Sequence, residues 1–204
     1  MKSKIKCCKT IGHSNLSIEQ FVENLEKHNI NCVVDVRSHP YAKYTPQFNK
    51  NNLKISLGKS EIIYLHLGDS LGARFNQKDL LMQDGTVDLI KVGETDFFKK
   101  AIARLKDGIN QGYEIAIMCS EQDPLDCHRF VLVARALKAE GIIVEHILKN
   151  GCLESNNETE KRLLAHCNLD DPQLKLFHES KTEDEQLLDA YRIRGIEIGY
   201  KKEV

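Results

Sequence analysis

The chain lacks an excess of charge of either sign. Its 29 lysines and arginines against 30 aspartates and glutamates leave a formal net charge of −1. The whole molecule is therefore not a phosphate-seeking polycation, and any nucleic-acid binding has to rest on a local patch. No apolar run approaches the ~20 residues a bilayer span requires. The N-terminal stretch MKSKIKCCKTIGH holds no apolar segment of the kind that marks a signal peptide. The P-loop pattern and the dinucleotide glycine fingerprint are missing too, as is any internal repeat or low-complexity tract. What these absences leave is a globular protein, with 41% hydrophobic and 29% charged residues. At 204 residues it fits one domain, with room for an appended segment. Cysteine, by contrast, is plentiful. Seven is an odd number, and without a secretory signal it predicts reduced thiols in a cytoplasmic protein with no membrane partner.

The most informative stretch runs from Cys119 to Arg129 (CSEQDPLDCHR). It gathers two thiols, an imidazole, a guanidinium and three carboxylates where a buried-type strand over 114–118 gives way to an apolar helix over 130–141. Asp123 and Pro124 read as N-cap and first-turn proline, which places Cys127, His128 and Arg129 just past the helix start. First-turn amides point outward and favour negative charge, so such a junction is a natural ligand site.

Around it the chain alternates strands and helices. A first strand spans 5–11, and a helix starts at Ser17, whose capping box with Gln20 and staple of Leu16 on Phe21 mark its entry. A second strand spans 32–36; with the first strand and the helix it forms a parallel βαβ unit. A turn-rich loop over 40–52, a short helix over 53–57 and a third strand over 62–67 follow. Residues 72–94 read as irregular, 94–111 as an amphipathic helix closed by Gly112, and 142–148 as the last strand. The expected fold is α/β: a mostly parallel, Rossmann-like sheet between helical layers, with a helical C-terminal extension. Residues 1–150 form the core domain. Residues 151–204 are more charged, carry helices near 158–166 and 182–193, and pack on the core.

If the strands are parallel, His13, Asp35, Arg37 and Cys119 all emerge at one carboxyl edge, beside Cys127, His128 and Arg129. Convergence from three strand ends is what marks a cleft in an open α/β sheet. Cys119 is the candidate nucleophile or ligand, because cations and helix starts lower a thiol's pKa; the alternative is a small core thiol. His13 and His128 are candidate proton carriers near neutral pH, or structural hydrogen-bonders. Asp35 is a candidate base, and a carboxylate at a buried strand end demands a partner. Arg37 and Arg129 are candidates for gripping an anion in a bidentate fork, the alternative being an Arg–Asp bridge. Ser14, Tyr41 and Glu121 complete the substrate-binding candidates. Tyr41, Tyr44 and Phe48 are interleaved with Lys43 and His39 in a loop that can stack a base or simply pack as a lid. Cys127 reads more readily as packing. The adjacent Cys127 and His128 are poor zinc spacing, since neighbouring helical residues face different ways, so no metal ligands and no cofactor are assigned.

Several segments together resemble the domain-of-unknown-function 488 family: Thr10–Ser14 (TIGHS), Asp35–Arg37 with Pro40, Pro46–Asn49 (PQFN), Tyr64–Gly68 (YLHLG) with Leu71 and Gly72, and above all the 119–129 motif. The resemblance implies a compact α/β domain and motif positions, and no mechanism. Two functions are expected from the residues. One is an enzyme acting on a small anionic or nucleotide-like substrate; the other is a non-catalytic nucleotide or nucleic-acid binding module. A phosphatase loop, with five residues between cysteine and arginine, does not fit, since nine separate Cys119 from Arg129.

Overall fold

The computed structural model describes residues 6–169 and 181–201. Six strands form one sheet: β1 (Cys7–Gly12), β2 (Cys32–Asp35), β3 (Ile63–His66), β4 (Ile115–Cys119), β5 (Ile143–Ile147) and β6 (Leu153–Ser155). Their order across the sheet is β3-β2-β4-β1-β5-β6, parallel except for β6, which pairs antiparallel with β5. The fold is thus α/β, as the alternation predicted. The first two strands form the expected parallel unit with an inserted neighbour: β4 lies between them and pairs with both.

Alternate residues of the central strands feed two apolar layers, as the period-two geometry of a strand requires. Val33, Ala116 and Met118 pack with Phe21 and Leu25 of α1 (Ile18–Lys27) and Leu53 and Leu57 of α2 (Lys50–Lys59). On the other face Val34, Ile115 and Ile117 pack with a larger group of helices. These include α4 (Leu89–Glu94), α5 (Asp96–Asn110), α6 (Arg135–Ala139) with the π turn that precedes it (Arg129–Ala134), α7 (Asn156–His166) and α8 (Glu183–Glu197). A single-turn helix, α3 (Gly68–Leu71), follows β3. No helix among the described residues is long and apolar enough to cross a membrane.

This two-sided packing positions the site. The chain leaves β1 and β2 for the α1/α2 face, and leaves β4 for the opposite face. Neighbouring strands whose exits diverge leave a crevice at their carboxyl ends. The end of β4, where Cys119 sits, is flanked by such a neighbour on both sides.

Local signals also held at several helix ends. Ser17 and Gln20 form the expected capping box, and Thr182 and Glu185 form another at the start of α8. Gly112 and Gly141 close their helices with φ of +94° and +75°, a region open to glycine at no steric cost. The stretch 72–94, read as irregular, contains α4, capped by Asp88 through the Ile90 and Lys91 amides. Thr95 then caps α5, which matches the helix read over 94–111 and starts two residues later than expected.

Candidate functional site

The largest departure from expectation lies within the 119–129 motif. Asp123 does cap a helical turn, accepting from the Leu125 amide at 2.9 Å. That turn is a 3-10 turn over Pro124–Asp126, and it ends at Cys127 in extended backbone, φ −137° and ψ 138°. Only after His128 does the π turn begin. Cys127 is therefore not in the first turn of the long helix. Extended backbone at Cys127 followed by helical backbone at His128 lets two adjacent side chains converge, which neighbours within one helix cannot do.

They converge on Cys119. Nδ1 of His128 lies 3.8 Å from the Cys119 sulfur and 3.9 Å from that of Cys127. The ligating atoms of all three residues lie within 4.8 Å of one another. On the far side of the ring Nε2 reaches the Val36 carbonyl at 3.2 Å. A carbonyl only accepts, so Nε2 carries the proton and Nδ1 presents its lone pair to the sulfurs. The Arg129 amide donates to the Cys127 sulfur at 3.5 Å. All three side chains are buried, His128 the most exposed at 8%. The two thiols share their protons unequally. The hydrogen bond to Cys127, then burial, raises the Cys119 pKa. Burial opposes ionisation of Cys127 as well, but the hydrogen bond from Cys119 and the charge of Arg129 outweigh it and bring that pKa down.

Beside this group stands a second one. Arg37 forks onto Asp35, Nε to Oδ1 at 2.9 Å and a terminal nitrogen to Oδ2 at 2.7 Å. The Arg37 amide and the Tyr64 hydroxyl also donate to that carboxylate. That same terminal nitrogen also donates to the Phe48 carbonyl at 2.8 Å, and the other terminal nitrogen reaches His13 Nε2 at 3.1 Å. Of the two sequence alternatives for Arg37, the structure contains the ion pair. His13 donates from Nδ1 to the Ser14 carbonyl and stacks on Phe48 at 4.3 Å. Burial first, and Arg37 second, lower its pKa to about 4, so it is neutral and does not titrate near neutrality.

Arg129 is fully buried, its terminal nitrogens donating to the Glu121 and Gln122 carbonyls at 2.6 and 2.9 Å. Its Nε has no hydrogen-bond partner, and among the described residues no carboxylate pairs with it. Neither arginine offers a free fork to solvent. Glu121 is exposed, and partial desolvation followed by the nearby Cys127 raises its carboxyl pKa. Ser14 is half-buried with φ +44°, and its amide donates to the Ser120 carbonyl. Tyr41 is 71% and Tyr44 89% exposed, whereas Phe48 is buried in the core. An open groove of about 520 Å³ lies at the same carboxyl edge beyond β2 and β3, lined by Ser38, His39, Asp69, Arg74, Asn76 and Gln77 among others.

The sequence reading brought Cys119, Cys127 and His128 to this edge but took Cys127 for packing rather than part of the site. The signal that could have included it was Pro124. With Asp126 and Cys127 so close behind, the proline closes a short turn as readily as it opens a long helix.

No curated protein and no solved structure matches this chain. A family model described as Domain of unknown function DUF488 matches residues 17–136, from the first residue before α1 to the start of α6. That match spans more than half of the sequence and takes in Asp35, Arg37 and the entire 119–129 motif, so the chain belongs to that family.

Proposed function

We infer that the protein is an enzyme acting on a small anionic or nucleotide-like substrate, with Cys119, Cys127 and His128 as its reaction centre. One observation carries this reading: two thiols and an oriented imidazole meet where the strand exits diverge. A buried core gains nothing in stability from that grouping over three apolar side chains. The positive charge of Arg129, buried and with no carboxylate partner among the described residues, biases the centre toward anions. The polar groove past β2 and β3 gives the rest of a substrate a place to lie.

The test is a thermal-unfolding screen with phosphorylated and carboxylated metabolites, including nucleotides. A ligand at about 100 times its Kd adds about 2.7 kcal/mol of stability. The expected hit is anionic, and its turnover falls at least about 100-fold in Cys127→Ser. Turnover unaffected by that substitution, or hits confined to neutral compounds, would remove the reading.

A second reading, binding of single-stranded nucleic acid, has one specific observation in its favour. Tyr41 and Tyr44 stand exposed, with the Lys43 ammonium 5.7 Å from the Tyr44 ring. Base stacking on such a platform is worth about 1–3 kcal/mol per base. Salt-sensitive oligonucleotide binding that is lost in Tyr41→Ala or Tyr44→Ala and kept in Cys127→Ser would establish it.

A further inference from the structure

We propose that Cys119, Cys127 and His128 bind one zinc-class divalent ion through both thiolates and the imidazole Nδ1, leaving a fourth position for an exchangeable anion. This rests on reading the group as the reaction centre, and it names what occupies that centre. Zinc bound at ~2.3 Å to sulfur and ~2.0 Å to nitrogen in a tetrahedron separates sulfur from nitrogen by about 3.5 Å. The two sulfurs stand 3.8 and 3.9 Å from Nδ1. Beyond the hydrogen bond that links the two thiols, the Nδ1 lone pair faces both sulfurs at once, and an ion between the three engages all of them together.

The surroundings are those of a ligand set. A ligating histidine commonly donates its other N–H to a carbonyl, which holds the ring and its tautomer; here that carbonyl is Val36. The Arg129 amide donates to the Cys127 sulfur, as suits a thiolate. Two thiolates neutralise a divalent ion, so the buried centre carries no net charge of its own. The unpaired charge of Arg129 then favours an anion in the last position. Soft sulfur with imidazole selects zinc over magnesium or calcium, which prefer oxygen. Glu121 is not among the atoms that converge, and three protein ligands with one open position is the arrangement of catalytic zinc.

The full chain, expressed with zinc and purified without chelator, is expected to hold about one zinc per molecule. Cobalt in its place gives a thiolate-to-metal charge-transfer band and the intense visible bands of a four-coordinate ion. Adding cyanide as a probe anion moves those visible bands. Cys127→Ser and His128→Ala each lower zinc retention at least about tenfold, while Cys152→Ser, at an exposed cysteine, leaves it unchanged. Because a buried variant is open to misfolding, the unmodified protein is also titrated with a mercurial, where zinc release tracks the loss of two thiols. Retention below about a tenth of an equivalent overturns the proposal, and so does a cobalt spectrum without the thiolate band. Bands that ignore cyanide overturn the open position. A metal-free protein whose turnover still needs Cys127 overturns the zinc and leaves the enzyme reading standing. Stoichiometric zinc with no anionic substrate does the reverse.

Discussion

Asp35 and Arg37 put opposite charges where water does not reach, at 0% and 4% exposure. Such a pair is held by its completeness: three donors from Arg37 and one from Tyr64 satisfy the carboxylate. Asp35→Asn, which leaves the guanidinium buried and uncompensated, is expected to cost about 3–5 kcal/mol in urea denaturation. Tyr64→Phe, which removes one donor from a charged acceptor, costs about 1.5–3 kcal/mol by the same measurement. Gly12 is a different case, since it is needed for what it lacks. A β-carbon there would stand 1.7 Å from the Glu121 carbonyl oxygen, and backbone on both sides prevents relief. Gly12→Ala is expected to destabilise by about 1–3 kcal/mol or more, and to loosen the 119–122 turn that Arg129 also clamps. That Asp35 needs a buried partner was legible from its place after an apolar run. The bridge to Arg37, two residues on, was one of the two alternatives the sequence offered; that Gly12 makes room for residue 121 depended on chain segments far apart in sequence.

At the level of elements, capping chemistry was the easiest signal to read because it is local. The donors and acceptors of Thr182 and Glu185 lie three residues apart and need nothing else. Thr182→Ala is expected to lower stability by about 1 kcal/mol, observed as a shift in the urea midpoint. The misread elements share the opposite property. β6 is three residues long and exists because β5 lies beside it; nothing in Leu153–Ser155 specifies a strand by itself. The Cys127 turn is likewise set from outside. Arg129 pulls on the Glu121 and Gln122 carbonyls, and Asp123 pairs with Arg162 of α7. A helix start read from Asp123 and Pro124 could not register either contact.

Across the whole molecule, two buried neutral histidines tie the fold to pH. His146, fully buried between Thr10 and Asn156, has its pKa lowered to about 3, by burial first and Arg129 second. His13 stands at about 4. Unfolding returns each to about 6.5, so below that pH the unfolded chain binds protons that the native state refuses. Stability from this source is fully present above about pH 6.5 and is lost as pH falls toward 4 and then 3. By pH 5 the loss is about 2 kcal/mol per histidine. Urea midpoints at pH 7 and pH 5 measure it, and His146→Gln is expected to halve the difference between them. The C-terminal segment also acts at this scale. Ala190 and Tyr191 of α8 join the same apolar cluster as Phe130 and Val131, and Tyr191 shares Glu160 with Asn156 and Lys138. A chain ending at Leu169 is therefore expected to unfold at clearly lower urea than the full chain.

Hydrophobic period, strand-helix alternation and helix caps determined the α/β class, the parallel strands and the single edge to which His13, Asp35, Cys119 and His128 come, because each of those signals acts within one turn or one strand. Strand order, the place Gly12 leaves for the Glu121 carbonyl and the turning of Cys127 toward Cys119 were decided only in three dimensions. Each depends on a carbonyl, charge or strand contributed by a distant part of the chain, and a local pattern has no access to it.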